Sequence, residues 1–121
     1  MAQGQEVVIE KGIITQTIYN QDVEDGDRKP VLMKVETYNE KGFLIDLKIY
    51  NHDGRYAKDW FEYKYNTNDQ LTEVIEYDAK GKFKERTEYK YNDKGLKSER
   101  LIYDRRNRLK KKRAYAYEYR Q

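Results

Sequence analysis

A tyrosine followed by Asn or Asp, with a turn-forming residue four positions after the tyrosine, recurs six times between residues 38 and 107. In four copies the turn-forming residue is glycine, at Gly42, Gly54, Gly81 and Gly95. Two degenerate copies have Asp69 and Asn107 there, and both residue types tolerate a left-handed backbone better than most. Such a recurrence is typical of a repeat architecture, which constrains the fold far more than the function.

The spacing of the copies predicts strands and turns. Intervals between successive tyrosines alternate between 12 residues and 14 or 15 residues. After a turn of about four residues, a run of roughly eight to eleven remains, which suits one strand. Asn or Asp caps the turn and glycine supplies positive φ, as in a type I turn followed by a bulge. We therefore predict an all-β fold, an antiparallel meander of about 7–9 strands built from two-strand units of about 26 residues, in an open or curled sheet.

The tyrosines predict columns across this sheet, because like turns of a meander lie at the same end. One end carries Tyr38, Tyr65 and Tyr91, and the other carries Tyr50, Tyr77 and Tyr103. The longer strands end in the Tyr-x-Tyr pairs Tyr63/Tyr65, Tyr89/Tyr91 and Tyr115/Tyr117. Cross-strand aromatic pairs contribute about 0.2–1 kcal/mol each, so we expect these columns to supply cohesion. The alternative is an exposed aromatic strip that stacks on sugars or bases.

The composition predicts one folded domain with a thin core. Charged residues make up 39% of the chain and the mean hydropathy is −1.21, which is typical of disorder. However, 25 basic residues nearly balance 22 acidic ones, 14% of residues are aromatic and there is one proline. These features favour folding.

Residues 1–37 depart from the repeat and are predicted to cap it, whereas residues 38–121 hold the repeats. The apolar runs Val7–Ile9 and Ile13–Ile18 indicate a capping hairpin or one long bent strand. An acidic loop follows at residues 22–27. A weak calcium site there is one interpretation, but the spacing of a calcium-binding loop is missing, which favours a solvated loop.

The inventory of reactive side chains predicts a protein that is not an enzyme. The chain has no cysteine, one histidine (His52) and one serine (Ser98), which lie in different predicted elements. A nucleophile and its base would both have to come from these single residues. No paired histidines, Cys-x-x-Cys or glycine-rich phosphate loop occurs, so we expect no cofactor and no metal. A glycosidase-type pair of carboxylates is strongly disfavoured.

The C-terminal segment is the one electrically polarised part. Residues 97–121 hold ten basic and three acidic residues, a local charge of +7. Basic residues beside tyrosines are able to track an anionic polymer, but cations also guard exposed edge strands, which is the favoured interpretation. The candidate binding surface comprises Trp60, Phe61, Tyr63, Tyr89, Tyr115, Tyr117, Arg105, Arg106, Arg108, Lys111 and Arg113.

The motif Tyr-Asn/Asp-x-x-Gly resembles the YD repeats of RHS-type bacterial proteins and, more distantly, the MORN-variant repeats of small bacterial immunity-like proteins. An apolar or aromatic residue follows the glycine at Leu44, Tyr56, Phe83 and Leu96, and the resemblance covers about residues 38–117. In RHS proteins these repeats wind into a shell around a cargo, for which six turns are too few. The resemblance implies a non-catalytic β-repeat scaffold from a bacterium, with no catalytic residues to transfer.

Three functions remain open. We favour a secreted, periplasmic or surface-associated interaction module that binds a protein partner or a second copy. The alternatives are binding of a glycan or an anionic polymer, with nucleic acid disfavoured, and a small immunity protein that masks a toxin. The N-terminal segment shows neither a signal peptide nor a membrane span, so we treat the chain as a mature form and leave a cytoplasmic location open.

Overall fold

The computed structural model describes residues 4–23 and 29–120. The helix α1 spans Gln5–Lys11, and the strands are β1 Thr15–Asn20, β2 Val31–Tyr38, β3 Leu44–Tyr50, β4 Ala57–Tyr65, β5 Leu71–Tyr77, β6 Phe83–Tyr91, β7 Lys97–Tyr103 and β8 Leu109–Ala114. In the part of the chain that is described, no helix has the length and apolar character needed to cross a lipid bilayer.

All eight strands form one sheet in chain order, and every neighbouring pair is antiparallel. The sheet is not closed, so β1 and β8 are its two edges. The predicted antiparallel meander is confirmed. Every extensive contact between strands joins neighbours in the sequence, so the tertiary structure consists largely of local contacts.

The turns after β2 to β7 share one geometry. Positive φ angles occur at Gly42 (81°), Gly54 (73°), Gly81 (79°), Gly95 (78°), Asp69 (62°) and Asn107 (60°). In the turn after β6, Asn92 Oδ1 accepts hydrogen bonds from the backbone N–H of Lys94 at 2.9 Å and of Leu96 at 3.0 Å. The strand register shifts at the tyrosine that precedes each of these turns, which is the bulge that the sequence pattern predicts.

Side chains alternate between two faces of the sheet. The register aligns Lys48, Trp60 and Tyr77 on one face, called here the tryptophan face, and Leu47, Phe61 and Tyr63 on the other, called the phenylalanine face. The buried side chains of the central strands divide between them, with Ile75 and Leu101 on the tryptophan face and Thr87 and Ile102 on the phenylalanine face. The thin core is therefore spread over both sides of a single layer.

The N-terminal cap is a helix, and the predicted hairpin or strand at Val7–Ile9 was wrong. The apolar run ends at Gly12, whose left-handed conformation (φ 68°) lets its N–H bond to the carbonyl oxygen of Ile9 and terminates the helix. Only Val8 is buried, at 1% exposure, while its apolar neighbours face outward. Gln5 Nε2 donates to the Lys41 carbonyl oxygen at 2.8 Å, which holds the helix against the turn between β2 and β3.

The predicted acidic loop falls mostly on residues 24–28, which lie outside the described residues. The calcium interpretation of this loop therefore stays a prediction.

Candidate interaction surfaces

The second tyrosine of each Tyr-x-Tyr pair makes a hydrogen bond through its hydroxyl at one end of the sheet. These hydroxyls donate to backbone carbonyl oxygens, from Tyr65 to Leu44 at 2.7 Å, from Tyr91 to Leu71 at 2.5 Å and from Tyr117 to Lys97 at 2.6 Å. Each acceptor is the first residue of a strand. Burial raises the pKa of the Tyr65 and Tyr91 hydroxyls. The contact gives Tyr117, a predicted binding residue, a structural role, and the 26-residue spacing was its only signal in the sequence.

Trp60 lies in a packed cluster on the tryptophan face. Its indole Nε1 donates to Asp46 Oδ1 at 2.7 Å. The Lys48 ammonium lies 4.6 Å from the indole ring centroid, and the Tyr77 ring packs at a centroid distance of 4.6 Å. The indole is occupied by partners from within the chain, which disfavours Trp60 as a stacking platform for a sugar.

Tyr77 has the most perturbed ionisation in the described chain. A hydrogen bond to the Glu62 carboxylate raises the pKa of the Tyr77 hydroxyl to about 12, and burial and the charges of Glu73 and Asp46 add to the rise. Asp46 and Glu62 are directly paired across β3 and β4. Because each of these carboxylates accepts a hydrogen bond from an aromatic donor, this pair acts as an anchor for the cluster.

The predicted aromatic surface is divided by the sheet. Phe61, Tyr63 and Tyr89 lie on the phenylalanine face, opposite to Trp60. Burial raises the pKa of the Tyr63 hydroxyl, and the negative charge of Glu36 adds to this effect. The Lys97 ammonium lies 4.8 Å from the Tyr89 ring centroid. One surface therefore cannot use Trp60 and these three rings together.

Tyr115 extends the last pair of strands just beyond β8. Its backbone N–H donates to the Ser98 carbonyl oxygen at 3.0 Å, so the segment after β8 continues along β7. Tyr117 and Tyr119 follow, with 40% and 49% of their surface exposed. The predicted neighbourhood of basic residues and tyrosines thus exists at this edge of the sheet.

The basic run forms an exposed edge, called here the basic edge and defined as residues 105–113. All six residues of β8 are exposed. Three of the cations are paired with carboxylates, Arg108 with Asp104 at 3.2 Å, Lys110 with Glu85 at 3.2 Å and Lys112 with Glu99 at 2.7 Å. Arg105 and Arg106 lie in the turn before β8 and are exposed.

Lys111 and Arg113 are the cations of the basic edge that face outward from the phenylalanine face. The register aligns Lys111 with Ile102, and Arg113 with Arg100 and Tyr89. Within the described residues, no carboxylate lies within ion-pairing distance of Lys111 or Arg113. The Nε atom of Arg100 is buried with no hydrogen-bond partner in the same part of the chain. This corner of the sheet therefore holds positive charge that the described residues do not neutralise.

Glu36 is a fully buried carboxylate that the sequence analysis missed. It is 0% exposed, accepts a hydrogen bond from the Tyr38 hydroxyl at 2.6 Å and has the Lys34 ammonium at 3.8 Å. The Lys-x-Glu-x-Tyr order on one strand places all three on one face, and this alternation was the only available signal. The other oxygen of this carboxylate, Oε1, is buried and has no hydrogen-bond partner within the described residues.

The single histidine and the single serine are far apart. His52 lies in the turn after β3, and Ser98 lies on β7. Four strand spacings separate β3 from β7, which is about 19 Å at roughly 4.8 Å per strand. Among the described residues, no three His, Cys, Asp or Glu side chains are arranged to hold a metal ion.

Comparison with known proteins assigns no family to this chain. No protein-family model matches it, and a search of the curated proteins gives no significant match.

Proposed function

We propose that this protein is a non-catalytic interaction module that presents its open sheet to a protein partner. The observation that carries the proposal is the single layer. The accessible surface is 9121 Å², whereas a compact monomer of this mass exposes about 6,900 Å². This excess agrees with an open single layer, and a partner protein is able to cover part of it.

The corner of the phenylalanine face beside the basic edge is the proposed contact. Tyr89 supplies aromatic area there, and Lys111 and Arg113 supply charge that has no carboxylate partner within the described residues. Tyrosine and arginine are enriched in the energetically important parts of protein interfaces. An acidic partner surface would complement this corner.

The setting of the module follows from the resemblance to YD repeats and is part of the proposal. Repeats of that kind belong to bacterial secreted and surface proteins, which is where we place this chain. The same resemblance supports a repeat scaffold over an enzyme. The four strand spacings between β3 and β7, about 19 Å, keep His52 and Ser98 apart, which agrees with this proposal.

The test reverses the two uncompensated charges. The double variant Lys111→Glu/Arg113→Glu is compared with the wild type and with Lys58→Glu/Lys80→Glu, which changes the net charge equally at exposed lysines on other elements. Proteins captured from a nuclease-treated bacterial extract by cross-linking should be retained by the wild type and the control, and lost from the Lys111/Arg113 variant. Equal capture by all three proteins would refute the proposed contact.

Binding of an anionic polymer is the second candidate, because β8 is exposed and basic and the Lys94 ammonium lies 3.6 Å from the centroid of the exposed Tyr119 ring. Fluorescence anisotropy with heparin and with single-stranded DNA would test it. If the polymer neutralises several cations, the logarithm of the affinity should fall linearly with the logarithm of the salt concentration, by about 0.7 per phosphate contact on a single strand. Absence of binding at low salt would eliminate this candidate.

A further inference from the structure

The two edges of the sheet are chemically opposite. β8 has the sequence Leu-Lys-Lys-Lys-Arg-Ala, whereas β1 has the sequence Thr-Gln-Thr-Ile-Tyr-Asn and carries neither a charge nor a proline. Charged residues on an edge strand prevent pairing with other strands, and an edge that lacks them is a template for pairing. β8 is guarded in this way and β1 is not.

One hydrogen bond shows which backbone groups of β1 point away from the sheet. The Ile14 carbonyl oxygen accepts from the Tyr38 N–H at 2.8 Å, so residue 14 points its backbone groups toward β2. The register shift after Ile18 inserts Met33 on β2 and no residue on β1, so the groups of β1 keep alternating and Thr15, Thr17 and Tyr19 point theirs away from the sheet. All three residues are exposed. In residues 4–23 and 29–120 no further backbone hydrogen bond joins these groups, so the edge offers three donors and three acceptors to a second strand.

We infer that β1 pairs with β1 of a second copy of this chain, antiparallel and around a twofold axis at Thr17. In this register Thr17 exchanges two hydrogen bonds with Thr17 of the second copy, and Thr15 exchanges two with Tyr19 of the second copy at each end. All six free groups on each chain are then satisfied. Six hydrogen bonds correspond to about 600–1,200 Å² of interface at one per 100–200 Å², which is below the roughly 1,200–2,000 Å² of a stable contact, so further burial beside β1 is needed.

Exposed apolar side chains lie at both ends of β1. A concavity of about 450 Å³ beside α1 is lined in part by Ile9, Ile13 and Ile14, and Ile14 is 70% exposed. At the other end, Tyr19 and Val23 are 59% and 82% exposed. An antiparallel pair brings the isoleucine end of one copy toward the Tyr19 end of the other. Both apolar ends therefore become covered in the same contact.

Other self-pairings are less favourable. Pairing of β8 with β8 would align the run Lys110–Arg113 with itself and place like charges directly opposite each other. Pairing of β1 with β8 leaves a free edge at each end and generates filaments, whereas a twofold contact closes. The inference is independent of the proposed function, because the basic edge lies at the opposite end of the sheet and stays open in the dimer.

The first test is the mass of the whole chain in solution. Size-exclusion chromatography with light scattering should give twice 14.7 kDa, and the dimer should persist in high salt because β1 is uncharged. Thr17→Pro removes an outward N–H without removing a bond to β2 and should give a monomer. Ala114→Pro is the matched control, since residue 114 also points outward but on β8, and it should leave the dimer intact.

A second test measures the register of the proposed β1 pair, and its outcome does not require the proline variants to fold. The chain has no cysteine, so Thr17→Cys introduces a single thiol. In a hydrogen-bonded antiparallel pair the two Cα atoms are about 5.5 Å apart, which suits a disulfide. Mild oxidation should cross-link Thr17→Cys and the double variant Thr15→Cys/Tyr19→Cys, but neither Thr15→Cys alone nor Ala114→Cys. A wild-type monomer, cross-linking of Ala114→Cys or a ladder of higher oligomers would each overturn the inference.

Discussion

At the residue scale, two turn glycines separate the effect of backbone conformation from the effect of close packing. Gly42 and Gly81 have nearly equal φ angles, 81° and 79°. A Cβ on Gly42 would lie 2.8 Å from the Gln5 carbonyl oxygen, whereas a Cβ on Gly81 would meet only Trp60, at 3.7 Å. The left-handed conformation costs a non-glycine residue about 1–2 kcal/mol.

We therefore expect Gly81→Ala to lower the free energy of unfolding by about 1 kcal/mol, through the backbone term alone. Gly42→Ala should lower it by roughly 2–3 kcal/mol, because the new methyl group also displaces α1. Urea denaturation of the two variants measures the difference. Equal losses would show that α1 does not pack closely on the turn.

The tyrosine hydroxyl bonds give a second prediction for single residues. Tyr91→Phe removes the donor to the Leu71 carbonyl oxygen and should lower the free energy of unfolding by about 1 kcal/mol, the net worth of a typical hydrogen bond. Tyr56→Phe is the control, because Tyr56 is 55% exposed and should change stability by less than about 0.5 kcal/mol. If both variants unfold at the same urea concentration, the hydrogen bond of the Tyr91 hydroxyl does not contribute to stability.

Tyr77 predicts how stability depends on alkaline pH. Its pKa is raised from 10.0 to about 12 by the Glu62 carboxylate. The folded state therefore holds a proton that the unfolded state has released, so this contribution is complete below pH 10 and is lost as the pH rises toward 12. Tyr77→Phe should flatten the fall in stability across that interval, as measured by urea denaturation at successive pH values. An unchanged alkaline slope in the variant would contradict the assignment.

The turn residues were predictable because their chemistry is local. Asn or Asp at the first position and glycine three residues later specify the turn without reference to the rest of the fold. Even the two departures from glycine have local reasons, and their side chains also bind neighbours: Asp69 accepts from Lys41 at 2.8 Å, and Asn107 accepts from Arg86 Nε at 3.1 Å. Contacts between elements, such as the burial of Glu36 beside Tyr38, depend on packing that no local pattern specifies.

At the scale of elements, α1 shows where the sequence pattern misleads. The run Val7–Ile9 favours a strand by propensity, but Glu6 in the first turn, Lys11 in the last and Gly12 at the C-cap are helix signals. The observed burial of Val8, which is 1% exposed, favours the helix. The predicted binding surface is split between the two faces of the sheet, because adjacent residues of a strand, such as Trp60 and Phe61, point to opposite faces.

The docking of α1 predicts a local effect of mutation. Val8→Asp places an unpaired carboxylate at a position that is 1% exposed, which should detach the helix. Amides in the turn between β2 and β3 should then exchange faster with solvent, while those of β5 to β7 stay protected, because α1 makes no extensive contact with these strands. Val7→Asp is the matched control, since Val7 is 44% exposed. Equal exchange in both variants would argue against the docked helix.

At the scale of the whole molecule, the sheet behaves as a linear array because every extensive contact between strands joins neighbours, with the Lys110–Glu85 ion pair between β8 and β6 as a single longer link. In such arrays, stability is the sum of terms for units and for their interfaces, so whole units are removable. A two-strand unit begins at Asn66 and ends at Tyr91, and its removal joins Tyr65 to Asn92 and restores a Tyr-Asn-x-x-Gly turn. In the joined protein Lys64 lies opposite Glu99, which is the partner that Lys90 has in the intact sheet.

We predict that deletion of residues 66–91 leaves a six-stranded sheet that unfolds cooperatively, with a urea m-value smaller by about a fifth because less surface is exposed on unfolding. Deletion of residues 66–77 removes fewer residues, but it removes one strand where the first deletion removes two. Every strand after the deletion therefore runs in the opposite direction and exchanges its two faces. Ile102 would then move to the tryptophan face and Leu101 to the other, and like a slip of one residue in register, this should abolish cooperative unfolding. Circular dichroism and urea denaturation compare the two variants. A single-strand deletion as stable as the two-strand deletion would show that the faces are interchangeable and that the unit of this fold is one strand.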